Sequence, residues 1–478
     1  MTRQSRTIAK DSSSILTASI IDFVSWSRSL QAFVILISAS GCRYEFESEI
    51  LSSDMRGFHA VYSEHALDSN RYIVYTPHGE RAADCEPLPV FVFLHGNGEN
   101  GKNGLTQLHN NFGVEIDYLQ EYHPFIAVCV QTSSERLCPA GGEQIERVLK
   151  ILDDVVEEFN ADPNRVILTG ASRGASETWG HLADIPDRFA AAVSVSGSGG
   201  DDMPRAIADA GIPFWVIYNA GDTYVAPNCR ENVRQLLEFG ASPLVTEYQN
   251  KGHNAWSKAY LSKSMYAWCL EQNRNRREPQ FCWVTRENLL QPQIADSLSS
   301  RRESVAEGSV QGWEFDDSED DGFVATSETL GTIALPSGHK SKEVHFSMWP
   351  SATTASRIGI FVGAGADAPD CMVTFRDVHT GWTDLTGPLG KWLARLDVVT
   401  QQQLTAGEWN DVRLAIFDQH LHIRINGWKA DPLHLPSASG DLQIRLMPPE
   451  TGRTRFRYVR YRLDENADLP SERQGAAE

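Results

Sequence analysis

A serine between two glycines is the side chain in this chain best placed for chemistry. Ser172 lies in the run Gly170-Ala-Ser-Arg-Gly174, between a predicted buried strand at residues 165–169 and a predicted helix at residues 175–182. A Gly-x-Ser-x-Gly run at such a junction turns the chain sharply and raises the serine hydroxyl above a parallel sheet. We interpret Ser172 as a nucleophile; the alternative is an ordinary turn serine.

A carboxylate and an imidazole follow Ser172 in the order that this chemistry uses. A serine nucleophile needs a base to take its proton, and the base needs a carboxylate to fix its tautomer and stabilise its charge. Asp222 comes after an apolar strand predicted at residues 213–218, and His253 follows the next strand, at residues 244–248. We therefore predict a triad of Ser172, His253 and Asp222. A capping role for Asp222 and a structural role for His253 are the alternatives.

A glycine-rich loop precedes the triad. Residues 95–101 read His-Gly-Asn-Gly-Glu-Asn-Gly and follow an apolar strand that ends at Leu94. The backbone N–H groups of Gly96 and Asn97 can turn toward a developing oxyanion, alongside the N–H of Arg173. His95 is interpreted as a residue that holds this loop, not one that touches substrate.

Several short motifs accompany these residues: Tyr75-Thr-Pro77, Leu94-His-Gly96, the run at residues 162–170, Trp179, the run at residues 186–190 and Gly252-His-Asn-Ala-Trp256. With them, residues 71–273 resemble an α/β-hydrolase. More narrowly, they are similar to the secreted carboxylesterases grouped with feruloyl esterases, acetylxylan esterases and polyhydroxybutyrate depolymerases. The resemblance implies Ser172 as nucleophile, His253 as general base and acid, and Asp222 as the orienting acid. We predict no cofactor and no metal ion.

The residue after the serine departs from the family pattern. Family members often carry Met and then Gly-Gly there, whereas this chain has Arg173-Gly-Ala175. The guanidinium of Arg173 could add positive charge to the oxyanion hole or pair with a substrate carboxylate. Glucuronoyl esterases also place an arginine after their serine, so a uronate ester stays open. The alternative is a salt bridge to a neighbouring acid. Arg173 and Trp256 are our candidates for substrate binding.

Composition narrows the class of protein. A chain of 478 residues is too long for one core and indicates two domains. A net charge of −20 argues against a nucleic-acid partner, which needs a basic face. No apolar run approaches the ~20 residues that a membrane-spanning helix needs. The eight cysteines include no Cys-x-x-Cys pair and give no zinc signature.

The amino-terminal half alternates between strand and helix patterns. Strands are predicted at residues 72–75, 88–94, 125–130, 165–169, 190–195, 213–218 and 244–248, and the clearest helical periodicity covers residues 145–159. Such alternation predicts a mostly parallel sheet flanked by helices, here an α/β-hydrolase domain at residues 43–273. Within it, the stretch before residue 71 is interpreted as lead-in.

The carboxy-terminal part changes pattern. We predict a linker at residues 274–311, an all-β sandwich at residues 312–465 and a disordered tail at residues 466–478. Residues 407–410, 421–427 and 455–460 resemble concanavalin-A-like jelly rolls, such as laminin-G modules, which often bind carbohydrate. Exposed aromatic rings would bind the sugar, and the candidates are Trp382, Trp392, Trp409 and Trp428. Core packing is the alternative role for these tryptophans.

The amino terminus indicates a compartment. Residues 28–42 contain a positive charge, a short apolar core and small residues before Cys42, a pattern typical of a bacterial lipoprotein signal. We predict a leader at residues 1–42 and a lipid on Cys42. The protein would then lie in the bacterial cell envelope, in the periplasm or on the outer surface, with the lipid as its only membrane contact. A secreted protein, or a leader whose apolar patch is accidental, is the alternative.

These patterns together predict a serine carboxylic-ester hydrolase. Its substrates would be acetyl, feruloyl or uronate esters linked to polysaccharide. The alternatives are a serine peptidase of the prolyl-oligopeptidase type and a carbohydrate-binding surface lipoprotein with a vestigial hydrolase domain. All four catalytic elements precede residue 255, so we expect the chemistry not to require the carboxy-terminal domain.

The lipid anchor is tested by replacing its cysteine. In a bacterium, the protein should partition into detergent, and Cys42→Ser should release it or leave the precursor unprocessed, because a lipidated amino-terminal cysteine supplies the acyl chains that firm anchoring needs. Mass spectrometry of the mature protein provides the measurement. An unmodified peptide that runs through Cys42 would contradict the prediction.

Overall fold

The computed structural model of this chain describes residues 33–34, 47–50, 57–66, 70–77, 86–108, 112–119, 124–133, 143–283, 314–316, 322–326, 333–334, 341–349, 356–362, 371–375, 382–386, 392–397, 408–417, 420–434, 442–447 and 453–464. Cys42 lies outside these residues. The statements below concern the described residues alone.

Ten strands form one mixed sheet in the amino-terminal half. They are β1 (Phe33–Val34), β2 (Glu47–Ile50), β3 (Phe58–Tyr62), β4 (Arg71–Tyr75), β5 (Leu88–Leu94), β6 (Ile126–Cys129), β7 (Ala161–Ala171), β8 (Ala191–Val195), β9 (Phe214–Gly221) and β10 (Leu244–Lys251). Their order is β1-β2-β3-β4-β6-β5-β7-β8-β9-β10. The pairs from β6 to β10 are parallel, whereas those from β1 to β6 are antiparallel. The predicted mostly parallel sheet is confirmed.

The lead-in predicted at residues 43–70 contains structure. β2 and β3 extend the sheet beyond β4, and Phe58, Ala60 and Val61 of β3 are buried. β1 pairs with β2 even though its two residues belong to the apolar part of the predicted leader. These strands are short, and they are ordered by pairing with one another and, through β3, with β4, which local sequence does not reveal.

Helices cover both faces of the sheet: α1 (Phe112–Leu119), α2 (Glu143–Glu158), α3 (Arg173–Asp184), α4 (Met203–Ala210), α5 (Ala226–Glu238), α6 (Trp256–Ala259) and α7 (Lys263–Leu270). Alternate strand residues face opposite sides. Val92 and Leu94 join the core under α2 to α5, and Phe91 and Phe93 join the core under α1, α6 and α7. No helix in the described part of the chain is long and apolar enough to cross a membrane.

The carboxy-terminal part is all β in its described residues. Its strands are β11 (Cys282–Trp283), β12 (Glu314–Asp316), β13 (Gly322–Thr326), β14 (Ile333–Ala334), β15 (Ser341–Trp349), β16 (Ser356–Val362), β17 (Cys371–Phe375), β18 (Trp382–Thr386), β19 (Trp392–Asp397), β20 (Asn410–Phe417), β21 (His420–Ile425), β22 (Trp428–Lys429), β23 (Leu433–His434), β24 (Leu442–Met447) and β25 (Arg453–Asp464). They form two antiparallel sheets. We name the nine-stranded one, with β11, β12, β13, β15, β20, β21, β22, β23 and β25, the rear sheet. A jelly-roll sandwich stays a prediction.

The first part of the predicted linker, at residues 274–311, is ordered. The N–H of Arg274 donates to the carbonyl of Asn164 at 2.9 Å, and the N–H of Phe281 donates to the carbonyl of Gly240 at 2.8 Å. β11 then pairs with β25 of the rear sheet. These hydrogen bonds order the segment, although its sequence has no helix or strand periodicity. For that reason the sequence alone resembles that of a linker.

The turn between β7 and α3 requires two glycines. A Cβ added to Gly174 would lie 2.1 Å from the carbonyl oxygen of Leu94 in β5, and one added to Gly170 would lie 2.3 Å from the carbonyl oxygen of Gly174. Between them, Ser172 has a φ of 55°, in the left-handed region that side chains rarely adopt. The close approach of α3 to β5 therefore holds Ser172 in a conformation that local sequence alone disfavours.

Gly174→Ala should lower the free energy of unfolding by about 1–3 kcal/mol, since α3 must move away from β5 to admit the methyl group. Urea denaturation measures the change. Gly98→Ala is the matched control, because a Cβ there meets nothing within 4 Å, and we expect a change of at most about 0.5 kcal/mol. Equal losses in the two variants would contradict this account of the turn.

Candidate active site

The structure brings the three predicted triad residues together at the carboxyl ends of parallel strands. Ser172 follows β7, Asp222 follows β9 and His253 follows β10. The Oγ of Ser172 lies 2.7 Å from Nε2 of His253. The Nδ1 of the same ring lies 2.6 Å from Oδ2 of Asp222. A continuous path of hydrogen bonds therefore connects the hydroxyl to the carboxylate.

Asp222 is built to stay ionised. Its Oδ1 accepts hydrogen bonds from the backbone N–H groups of Tyr224 and Val225, each at 3.1 Å, while Oδ2 faces His253. Burial alone would raise the pKa of Asp222, but these hydrogen bonds outweigh it and hold the pKa below its usual value. An ionised Asp222 accepts the proton of His253 Nδ1, so Nε2 offers its lone pair to Ser172.

The side chains of Asp222 and His253 differ in their exposure to solvent. The Asp222 side chain is 5% exposed, whereas that of His253 is 40% exposed. The carboxylate is therefore shielded from water, while the imidazole can reach a substrate. The N–H of Ser172 donates to the carbonyl of Val195 at 2.9 Å, which fixes the serine backbone on the end of β8.

The predicted oxyanion residues lie around Ser172. A Cβ added to Gly96 would lie 3.4 Å from the Cβ of Ser172, so this loop passes directly beside the serine. Asn97 begins the short 3₁₀ helix Asn97–Glu99, and Arg173 is the first residue of α3. The amino end of a helix carries unpaired N–H groups and a partial positive charge, both of which favour an anion. Their role toward an oxyanion stays a prediction.

His95 lies beneath the loop, where it was expected to act as a support. It is fully buried, its Nδ1 donates to the carbonyl of Gly96 at 2.7 Å, and its Nε2 accepts from the N–H of Thr132 at 3.1 Å. Burial lowers the pKa of His95 to about 4. The ring is therefore neutral at pH 7, and its two hydrogen bonds use both nitrogens to hold the loop.

Sequence reasoning missed three polar residues that hold the site loops. The side-chain N–H of Gln131 donates to the carbonyl of Glu99 at 2.9 Å, behind the glycine-rich loop. Ser196 Oγ donates to the carbonyl of His253 at 2.8 Å, and Asn219 Nδ2 donates to the carbonyl of Gly252 at 2.9 Å. Each of the three is the first residue after a predicted strand, and a polar residue at that position is the signal that could have found them.

The side chain of Arg173 is engaged by the protein. Its Nη2 donates to Oδ1 of Asn100 at 2.8 Å, and its Nε lies 3.7 Å from Oε1 of Glu177, with both charged side chains only 10% exposed. This is the salt bridge that the sequence left as the alternative role. Glu177 and Asn100 would therefore compete with a substrate carboxylate for this guanidinium.

Trp256 packs against the imidazole of His253. The centroids of its ring and of the His253 ring are 5.3 Å apart, with an angle of 85° between the planes. This edge-to-face contact restricts the rotation of the imidazole. Trp256 is also partly buried, and its predicted contact with substrate stays a prediction.

The structure describes the side chains of two of the four tryptophans that were predicted to bind sugar. Trp409 is 3% exposed and its ring centroid lies 4.1 Å from the guanidinium carbon of Arg457, so it is a packing residue. Trp428 is half-buried, while the side chains of Trp382 and Trp392 lie outside the described part. Within the described ranges, no three His, Cys, Asp or Glu side chains are grouped as metal ligands.

No protein-family profile matches this chain. A segment of 93 residues, 19% of the chain, is 33% identical to a probable acetylxylan esterase A of Neosartorya fischeri, of which it covers 25%. A match of the same length and identity covers 30% of acetylxylan esterase A of Emericella nidulans. The chain thus spans less than a third of the length of these curated relatives.

The solved structures to which this chain is similar include a thermostable esterase. It is 25% identical, the alignment covers 51% of this chain and 63% of that one, and the TM-score is 0.39. The α/β assignment stands on the chain's own strand order, with Ser172, Asp222 and His253 after β7, β9 and β10. This chain order of nucleophile, acid and histidine is the one that α/β-hydrolases use.

Proposed function

We propose that the protein is a serine carboxylic-ester hydrolase. The observation that carries the proposal is the pair of hydrogen bonds that connect Ser172, His253 and Asp222, at 2.7 and 2.6 Å. The serine lies on a turn that holds it at a positive φ beside a glycine-rich loop. The partial similarity to acetylxylan esterases supports the same reaction class.

The geometry supports a two-step reaction. His253 Nε2 takes the proton as Ser172 Oγ attacks the ester carbonyl, and the N–H groups of Gly96, Asn97 and Arg173 stabilise the oxyanion. The C–O bond to the alcohol then breaks, the alcohol leaves with the proton from His253, and an acyl group remains on Ser172. Water repeats the sequence: it gives its proton to His253, attacks the acyl carbonyl and releases the acid and the free serine.

For the substrate, we favour an acetyl or feruloyl ester on carbohydrate. The curated relatives are named acetylxylan esterases, which supports an acetylated polysaccharide. The engagement of Arg173 by Glu177 and Asn100 weighs against recognition of a substrate carboxylate. Beside the triad, Tyr224 is 84% exposed, and an exposed ring suits contact with a sugar.

The cellular setting belongs to the same proposal. A lipid on Cys42 would place the enzyme in the bacterial cell envelope, where polysaccharide esters are accessible; secretion is the alternative. Contact between the carboxy-terminal domain and glycan would then use aromatic rings other than the buried Trp409. The net charge of −20 argues against a nucleic-acid partner, because nucleic acid binds to basic surfaces.

Ser172→Ala should reduce hydrolysis of p-nitrophenyl acetate by about 10⁶-fold in kcat, because the triad acts as a unit. Spectrophotometric release of nitrophenol measures it. Ser198→Ala is the control: this serine lies on the neighbouring loop after β8 and should leave the rate within about twofold. Retention of more than a few per cent of activity in Ser172→Ala would refute the nucleophile.

A panel of esters tests the substrate. We expect kcat/KM for an acetylated xylo-oligosaccharide to exceed that for a methyl-glucuronoyl ester by at least about tenfold, since Arg173 is occupied. A feruloyl ester and a peptide p-nitroanilide complete the panel. A preference for the glucuronoyl ester would overturn the acetyl assignment, and turnover of the anilide above that of every ester would favour the peptidase alternative.

A further inference from the structure

The two strands that carry Asp222 and His253 lie at one end of the ten-stranded sheet. β10 is last in the order and pairs with β9. Contacts from the rear sheet reach this part of the chain at three places. They lie just before β10, in the middle of β10 and in helix α6, which follows His253. A strand at the end of a sheet lacks a second hydrogen-bonded neighbour, so such contacts decide how firmly it is held.

Before β10, the rear sheet binds the chain through two buried side chains. Arg460 of β25 donates from Nε to Ser242 Oγ at 2.8 Å and from Nη2 to the carbonyl of Pro243 at 2.5 Å. His345 of β15 lies 2.6 Å from the same Ser242 Oγ, measured from Nδ1. Arg460 and His345 are both fully buried, so water does not compete for these bonds.

In the middle of β10, a buried carboxylate joins both catalytic strands to the rear sheet. Glu247 pairs in register with Tyr218 of β9, and its Oε2 accepts the Tyr218 hydroxyl at 2.9 Å. Arg457 of β25, fully buried, places Nη2 2.8 Å from the same oxygen, and Arg230 of α5 donates to Oε1 at 2.6 Å. Although burial opposes ionisation, Arg457 and Arg230 together lower the pKa of Glu247 to about 2.

After β10, the rear sheet reaches the helix behind the catalytic imidazole. Lys258 of α6 lies 2.8 and 3.1 Å from the two carboxylate oxygens of Glu408, which precedes β20. The same helix begins with Trp256, whose ring packs on His253. Lys258 Nζ also lies 4.2 Å from the centroid of the Tyr248 ring in β10. The ion pair therefore connects the rear sheet to both sides of the His253 loop.

We propose that the rear sheet is part of the active-site framework: Arg457 and Lys258 are positioning residues that set Asp222 and His253 relative to Ser172. The inference rests on the proposed function, because its effect is seen in ester turnover. It differs from the expectation that the carboxy-terminal domain is dispensable for chemistry.

The physical argument concerns a buried charge that has two counterions. Without Arg457, the Glu247 carboxylate would keep Arg230 on Oε1 but lose the charged partner of Oε2, so it would move toward Arg230. Such a move alters its bond to Tyr218, four residues before Asp222, and shifts β10 at Glu247, six residues before His253. A displacement near 1 Å at reacting groups is enough to lower a rate by up to about 10²-fold.

The first test compares two arginines of the rear sheet. Arg457→Met should lower kcat for p-nitrophenyl acetate about tenfold with KM within about twofold, measured well below the unfolding temperature. Arg424→Met is the matched control: it removes an ion pair with Glu271 beyond α7, at 2.6 Å, and should leave kcat unchanged. A fall in unfolding temperature with wild-type kcat in Arg457→Met would overturn the role of Arg457.

The second test uses a pair whose loss the fold should tolerate, since the Lys258 side chain is 47% exposed. Lys258→Met and Glu408→Gln should each lower kcat about threefold, and the double variant no further, because both remove one interaction. Wild-type kcat in both single variants overturns the proposal, even if Arg457→Met fails to fold. If the wild-type protein turns over the ester and Ser172→Ala does not, the proposed function stands whatever these two variants show. A wild-type protein without turnover would overturn both the proposed function and the role of the rear sheet.

Discussion

The hydrogen bonds from Ser172 through His253 to Asp222 exist only while the ends of three strands stay in register. The residues come from loops that are 31 and 81 positions apart in sequence, measured from His253. Parallel pairing from β7 through β8 and β9 to β10 sets the strand ends side by side. Side-chain hydrogen bonds then complete the placement: Ser196 and Asn219 donate to the carbonyl groups of His253 and Gly252.

A second set of the same three residue types shows why placement matters. The Oγ of Ser242 lies 2.6 Å from Nδ1 of His345, and Nε2 of His345 is hydrogen-bonded to Oδ1 of Asp411. All three are buried, and burial together with nearby Arg460 lowers the pKa of His345 to about 4. No substrate reaches a fully buried histidine, so the role of this set is to join the rear sheet to the amino-terminal domain. The set at Ser172 differs because it opens at the ends of the strands.

Much of the amino-terminal domain was predictable because its signals are local. Apolar strands and the periodicity of α2 gave the mostly parallel sheet, and the loop residues after the strands gave the triad. β2 and β3 were missed because they are ordered by pairing and not by composition. The order at residues 274–283 was missed because it depends on hydrogen bonds to distant loops.

The contacts of the rear sheet were beyond sequence reasoning. Arg460 binds Ser242 across 218 positions, and Lys258 binds Glu408 across 150. No propensity or motif links such residues. Trp409 was a candidate for binding sugar because of its aromatic ring. In the structure, Arg455 and Arg457 of β25 pack over this ring, and the side chain is buried.

The central claim is that Ser172 carries the acyl group, and trapping that intermediate tests it most directly. The protein is mixed with p-nitrophenyl acetate, quenched in acid within the first turnovers and digested, and the peptides are weighed by mass spectrometry. The account predicts one acetyl group on the peptide that contains Ser172, absent once the substrate is exhausted and absent from the Ser172→Ala variant. Turnover with no acetyl group on Ser172, or with the group on another residue, would contradict it.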